Sequence, residues 1–200
     1  MRKALPQFIS VLFHPILVPT LFIGIILWAD PFYRYGYSEN QKWAILELVT
    51  LGTILPGLAF LLISRVFFRH SIFGTWTLKQ RTSALFVIGL FQLEFWYLMK
   101  NWEMDSVISG FFLSVAGVLL SASLISFFYK ISIHSAAWGG ALAGLIISFG
   151  MHGYFSLLPL LSLIFIWSIA TSSRIARKEH TIGQVWSGLS LAVVVFWFLC

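Results

Sequence analysis

Seven long apolar stretches, separated by short polar connections, dominate this 200-residue chain. They lie at about residues 8–28, 44–66, 82–99, 107–128, 135–151, 154–171 and 183–199. A helix that crosses the hydrocarbon core of a bilayer needs about 20 predominantly apolar residues, and the fifth and sixth stretches are near the lower limit of that length. The pattern therefore predicts an all-α fold, a polytopic transmembrane helix bundle of six or seven helices.

The composition excludes a water-soluble fold. Hydrophobic residues make up 59% of the chain and charged residues only 10%, which is more apolar surface than one soluble core of this size can bury. The longest connections, residues 30–43 and 67–81, are too short to enclose a core of their own. We therefore expect a single integral membrane domain over residues 1–200.

The charges of the connections predict an orientation. If the stretches alternate across the membrane, the N-terminus and the connections after the second, fourth and sixth stretches share one face. That face carries ten of the 13 lysine and arginine residues and a single acid, Glu179. The positive-inside rule makes it the cytoplasmic face. The net charge of +6 is then directed at anionic membrane lipids, and no nucleic acid partner is expected.

Three polar clusters lie in the connections that alternation places on this face. They are Lys79 and Arg81 before the third stretch, Ser132 and His134 before the fifth, and Ser173, Arg174, His180 and Gln184 before the seventh. Guanidinium groups match phosphate oxygens, and an imidazole lone pair can attack phosphorus. Each cluster lies where a helix is expected to begin, so that backbone N–H groups can also face an anion. The sequence predicts that the clusters converge on one phosphate site at the membrane boundary.

The third cluster resembles the third motif of the type 2 phosphatidic acid phosphatase superfamily, Ser-Arg-x5-His-x3-Asp. Ser173, Arg174 and His180 match it position for position, and Gln184 stands where the family has aspartate. The chain therefore looks like a divergent member of that superfamily.

The other two motifs of the superfamily are matched in part. Its second motif, Pro-Ser-Gly-His, is similar to residues 131–134, which keep Ser132 and His134. Its first motif, Lys-x6-Arg-Pro, is represented by Arg81, while Gly74 and Thr82 occupy the lysine and proline positions. Lys79 is the candidate replacement for the missing lysine.

The resemblance implies an integral membrane lipid phosphatase of a bacterial inner membrane that hydrolyses a phosphomonoester or pyrophosphate of a lipid. Bacterial members of the superfamily often act on the periplasmic side, whereas the charge bias predicts the cytoplasmic side, so both alternatives stay open. His180 would attack phosphorus to form a phospho-histidine, and His134 would protonate the leaving oxygen. Five side chains would bind the phosphate oxygens: Arg174, Arg81, Lys79, Ser132 and Ser173. No cofactor and no metal ion are expected, and the partners are the lipid substrate and membrane lipids. The sequence does not indicate an oligomeric state.

Gln184 is the main departure from the family pattern. An amide oxygen four residues after His180 can still orient the imidazole, but it carries no charge. Three alternatives follow: a slow enzyme, a substitute carboxylate such as Glu179 or Glu94, or a non-catalytic protein that binds or transports lipid phosphates in a degenerate pocket. A charged group inside a span is costly in lipid, so Glu94 is expected to face the bundle interior.

The remaining histidines, His14, His70 and His152, are expected to be structural. Pro15 and Pro19 interrupt the first stretch, and proline removes a helical hydrogen bond. We therefore expect a kink or a broken start there, with freed carbonyl groups that need partners.

Overall fold

A computed structural model of the chain describes residues 4–68 and 78–200, except for the side chains of residues 4, 60, 61, 63–68 and 79. Within these ranges the chain is helical and contains no strand. The helices are α1 (Ala4–Leu12), α2 (Val18–Ala29), α3 (Pro31–Gly36), α4 (Glu39–Phe68), α5 (Leu78–Asn101), α6 (Ser106–Ile125), α7 (Ile133–His152), α8 (Leu157–Ala176) and α9 (Ile182–Leu199).

Seven helical segments of the described ranges are long and apolar enough to cross a membrane. They are Leu5–Ala29, Glu39–Ala59, Gln80–Asn101, Ser106–Ile125, Ile133–His152, Leu157–Ala176 and Ile182–Leu199. The predicted all-α transmembrane bundle is confirmed, with seven helical spans. The protein is an integral membrane protein.

The first span is broken, as the prolines predict. Helix α1 ends at Leu12, and a short 3₁₀ turn, Pro15–Leu17, precedes α2. The imidazole of His14 caps this turn, because its Nδ1 accepts a hydrogen bond from the backbone N–H of Ile16 at 3.3 Å. One carbonyl freed by the break, that of Phe13, accepts a hydrogen bond from Trp138 Nε1 at 3.1 Å. The broken span is therefore held against α7.

Helix α7 is the most buried of the seven spans, and small residues let α9 approach it closely. A Cβ atom added to Gly140 would lie 2.7 Å from the ring of Phe196. At the other end of the same interface, a Cβ atom added to Gly188 would lie 2.5 Å from the backbone oxygen of Ser132. The start of α7 and the first turns of α9 are thus packed backbone against backbone, which small residues permit in membrane bundles.

A polar cluster at the far end of α7 ties that end to the α2–α3 junction. Asp30 is fully buried, and its Oδ2 lies 2.8 Å from His152 Nδ1 and accepts from Ser148 Oγ at 3.0 Å. Its Oδ1 caps α3 by accepting from Phe32 N at 3.0 Å. The contacts of His152 are those of the structural histidine that we expected, whereas His70 lies outside the described residues.

Candidate functional site

Direct hydrogen bonds join the three polar connections at one end of the bundle. Arg81, in the first turn of α5, donates from Nη2 to the backbone oxygen of Ile131. Ser132 donates from its backbone N–H to the oxygen of Gln184 at 3.0 Å. The clusters that precede the third, fifth and seventh stretches therefore meet in space, as the alternation of the spans predicts.

His180 lies in the loop before α9 and is only 7% exposed. Thr181 and Gln184 form a capping box at the start of that helix, in which Gln184 Oε1 accepts from Thr181 N at 3.2 Å. A backbone N–H can only donate, so this contact fixes the amide oxygen on the side of His180. His180 Nδ1 lies 3.0 Å from the same oxygen and must therefore carry the proton. The lone pair of the imidazole is left on Nε2.

Cations from three connections lie within electrostatic range of His180. Burial is the main reason that the pKa of His180 is lowered from 6.5 to about 4, and the charges of Lys130, Arg174 and Arg81 lower it as well, whereas the hydrogen bond with Gln184 raises it. Burial also lowers the pKa of Lys130, and Arg81 and Arg174 contribute to that shift. At neutral pH, His180 is therefore an uncharged imidazole inside a positively charged cluster.

Arg174 lies in the last turn of α8, so the prediction that every cluster begins a helix is wrong for this residue. The helix runs past the apolar stretch that ended at about residue 171, and a cation in its last turn complements the helix dipole. Arg174 Nη1 donates to Ser10 Oγ at 2.7 Å. Its Nη2 pairs with Glu179 Oε2 at 2.5 Å, without good hydrogen-bond geometry. Glu179 Oε1 pairs with Arg177 Nη2 at 2.7 Å.

Both arginines of the cluster keep an unused donor. The Nε atoms of Arg81 and Arg174 are buried, and neither has an acceptor in the part of the chain that the structure describes. A buried donor without a partner costs about 1–3 kcal/mol. An anion with several oxygens is the chemical group that would satisfy both donors.

His134 is 8% exposed in the first turn of α7, and its Nε2 lies 3.3 Å from the backbone oxygen of Ser10. A carbonyl oxygen only accepts, so Nε2 carries the proton of a neutral His134 and Nδ1 carries the lone pair. The ring of His14 contacts that of His134 edge-on, with ring centres 5.7 Å apart. Arg174 lies within electrostatic range of both His134 and His180.

The two predicted serine ligands are engaged by the helices that carry them. Ser132 caps α7, because its Oγ accepts from Ser135 N at 3.4 Å. Ser173 donates from Oγ to Ala170 O at 2.6 Å. These contacts stabilise helix ends, and a role of Ser132 or Ser173 in binding phosphate stays a prediction. The side chain of Lys79 is not among those that the structure describes, so its predicted role stays a prediction.

Glu94 does not face the bundle interior, and that prediction is wrong. The inward face of α5 carries Gln92, Phe95 and Met99, and Glu94 lies off this face because of the helical rotation of 100° per residue. Its side chain is exposed. Since Glu179 pairs with arginines, neither candidate carboxylate is the partner of His180 Nδ1, and the hypothesis of a substitute carboxylate is wrong.

Three residues of the site were not among the candidates: Ser10, His14 and Lys130. Ser10 and His14 are four residues apart just before Pro15, so a helical reading of the first stretch places both on one face. That spacing is the signal that would have indicated them.

The fold and the site define a seven-span membrane protein with a cluster of buried histidines and partly exposed cations at one end of the bundle. Comparisons with protein-family models, with curated proteins and with solved structures found no match. Among the described residues, no group of three or more His, Cys, Asp or Glu side chains is placed to hold a metal ion.

Proposed function

We propose that the protein is a membrane enzyme that hydrolyses a phosphomonoester or pyrophosphate of a lipid through a phospho-histidine at His180. The observation that carries the proposal is the environment of this imidazole. Gln184 holds Nδ1–H, and Arg81, Arg174 and Lys130 supply positive charge around the ring. Phosphoryl transfer depends mainly on positioning and charge stabilisation, and this arrangement offers both.

The reaction would proceed in two displacements. His180 Nε2 attacks phosphorus, the bond from phosphorus to the leaving oxygen breaks, and its electron pair stays on that oxygen, which takes up a proton. Water then attacks the phospho-histidine, releases phosphate and regenerates His180. His134 is the proposed proton donor. Because its Nε2–H is held by Ser10 O, the transferable proton would sit on Nδ1, and the charge of a bound phosphate favours that protonated form.

The position of the site favours a lipid substrate. The cluster lies at the ends of membrane-crossing helices, where the phosphate of a membrane lipid is also found. Phe127 and Phe128, beside Lys130, are strongly exposed at 58% and 92%, as apolar residues that contact lipid can be. The headgroup would enter the cluster while the acyl or prenyl chain stays in the bilayer. We further propose a bacterial inner membrane, with the site on the cytoplasmic side that the charge bias predicts.

The second candidate is a non-catalytic protein that binds or transports lipid phosphates. One observation favours it: the partner of His180 Nδ1 is the neutral amide of Gln184. An amide does not stabilise the positive charge that develops on the imidazole during attack, as a carboxylate would. The same cluster would then bind the headgroup without cleaving it.

Phosphate release by the detergent-purified protein, measured with phosphatidic acid and with a prenyl pyrophosphate, tests the proposal. We expect Arg174→Gln to raise KM by roughly 10- to 100-fold, because it removes charge-assisted hydrogen bonds to the phosphate. Arg34→Gln, the same change at the opposite end of the bundle, is the matched control and should leave KM unchanged. Binding of phosphatidic acid vesicles without release of phosphate would instead support the second candidate. A wild-type KM in Arg174→Gln would show that this cluster does not bind the substrate.

The pH dependence of the reaction follows from the pKa of His180. Because this pKa is lowered to about 4, the lone pair on Nε2 is available above that pH and is lost below it. The acid limb of kcat/KM should therefore have its midpoint near pH 4. The terminal phosphates of a phosphomonoester and of a pyrophosphate both titrate near pH 6, so the pKa of His180 should also be measured without substrate, by NMR of the imidazole. A His180 pKa near the ordinary value of about 6.5 would contradict the burial and the positive surroundings of this residue.

A further inference from the structure

One residue of the first span contacts two of the proposed functional groups. Ser10, on α1, is 3% exposed. Its Oγ accepts a hydrogen bond from Arg174 Nη1 at 2.7 Å, and its backbone oxygen accepts one from His134 Nε2 at 3.3 Å. The side chain therefore restrains the guanidinium group that would bind phosphate, and the main chain restrains the imidazole that would protonate the leaving oxygen.

The backbone contact exists because the first span is broken. In a continuous helix, the N–H of His14 would donate to the oxygen of Ser10. The helical donor to the oxygen of Val11 would be residue 15, but Pro15 has no N–H and the helix ends at Leu12. The N–H of His14 donates to Val11 O at 3.3 Å instead. The oxygen of Ser10 is left without a helical partner, and it accepts the Nε2–H of His134. The break thus supplies an acceptor that favours the tautomer of His134 with the proton on Nε2.

We propose that Ser10 is a positioning residue of the phosphate site, through Oγ for Arg174 and through its backbone oxygen for His134. The proposal rests on the proposed function. It assigns a role to the first span, which lies outside all three motifs of the resemblance. The break at Pro15 leaves the carbonyl of Ser10 without a helical partner, so that it can accept the hydrogen bond from His134.

The contact of the hydroxyl group is tested with Ser10→Ala and Ser10→Thr in the phosphate-release assay. Ser10→Ala should raise KM about tenfold, the size expected for one hydrogen bond to a charged group, and leave kcat within about twofold. Ser10→Thr keeps an Oγ atom and should restore KM. Ser162→Ala is the matched control, because Ser162 is exposed and its Oγ donates to Leu158 O of its own helix at 2.9 Å. Equal KM values for wild type and Ser10→Ala would overturn the proposed role of the hydroxyl.

The backbone contact is tested with Pro15→Ala. This variant restores an N–H that can donate to Val11 O, so that the N–H of His14 can donate to the oxygen of Ser10 as in a continuous helix. We expect kcat to fall about tenfold, the size of one lost hydrogen bond to a group that becomes charged, with KM little changed. Pro19→Ala, in the first turn of α2, is the control. An N–H at residue 19 would donate to the oxygen of residue 15 in a helix, so this variant does not compete for the oxygen of Ser10. An unchanged kcat in Pro15→Ala would overturn the proposed role of the carbonyl.

A chemical readout separates this proposal from the proposed function. Phenylglyoxal modifies arginine side chains, and its rate at Arg174 can be followed by mass spectrometry of the purified full-length protein without any substrate. Ser10→Ala should be modified several-fold faster at Arg174 than wild type or Ser162→Ala. If the wild type neither releases phosphate nor binds phosphatidic acid vesicles, the proposed function fails, while a faster modification still supports the positioning role. Equal rates in all three proteins would refute it whatever the activity.

Discussion

His180→Asn is expected to lower phosphate release by roughly 10⁴-fold or more, the size of effect seen when a nucleophile is removed from a catalytic unit. Asparagine places an amide N–H near the position of Nδ1 and can keep the hydrogen bond to Gln184 Oε1, but it has no lone pair in the place of Nε2. The variant therefore removes the proposed nucleophile with little change to the loop before α9. Turnover is measured with the lipid substrate that the wild type cleaves best.

Two comparisons make the His180→Asn result specific. His152→Asn introduces the same chemical change at the opposite end of α7, where His152 pairs with Asp30, and should keep turnover within a few-fold of wild type. Binding of phosphatidic acid vesicles by His180→Asn should persist, because Arg81, Arg174 and Lys130 remain in place. Wild-type turnover in His180→Asn would show that His180 is not the nucleophile.

Gln184→Glu is expected to raise turnover by about 10²-fold or more. Replacing the orienting carboxylate of a catalytic triad by an amide lowers turnover by about 10⁴, and this variant makes the reverse change with one atom altered. Glutamate, like glutamine, is a usual residue at this position of a capping box, so the start of α9 should be preserved. The carboxylate would stabilise the imidazolium that forms as Nε2 attacks phosphorus.

The same variant should change the pH profile in a definite direction. A negative charge next to Nδ1 favours protonated His180 and raises its pKa, so the acid limb should move upward from its wild-type position near pH 4. Gln184→Met, of similar length but without an acceptor oxygen, is the matched control and should lower turnover instead. A slower Gln184→Glu enzyme with an unchanged melting temperature would contradict the proposed role of Gln184.

The fold was predictable because a bilayer imposes a length on every apolar stretch and requires each backbone polar group to be satisfied within the segment. The same argument predicted which connections share a face, and Arg81, Ser132, His134, Arg174 and His180 come together accordingly. Alternation specifies a face and leaves the rotation of each helix about its axis open. This is why Glu94 was wrongly placed toward the interior, although the phase of Gln92, Phe95 and Met99 puts it on the outer face.

Side-chain partners within the site depended on contacts that no local pattern encodes. Ser10 and His134 are 124 residues apart, and the freed carbonyl that joins them is visible only once α1 is seen against α8 and α7. The partner of Glu179 could likewise not be chosen from sequence, since a carboxylate in a connection rich in cations has several equivalent choices. The contact of His180 with Gln184 was predictable because it is local and has the spacing of a helical turn.

The capping box of α9 links the folding of the chain to its proposed chemistry. Thr181 and Gln184 satisfy the first amides of the helix, and the oxygen that does so also holds Nδ1–H of His180. Local helix initiation therefore fixes the tautomer of the imidazole and presents the lone pair of Nε2. A chain that folds α9 correctly has oriented the proposed nucleophile at the same time.

The most direct test is to trap the covalent intermediate. The purified protein is mixed with a lipid substrate labelled with radioactive phosphorus at the scissile phosphate and quenched within milliseconds to seconds at alkaline pH, which preserves a phospho-histidine. The account predicts a labelled protein whose label is stable to base and labile to acid, maps to His180 and is absent from His180→Asn. Release of phosphate with no label on the protein, or with the label on another residue, would contradict it.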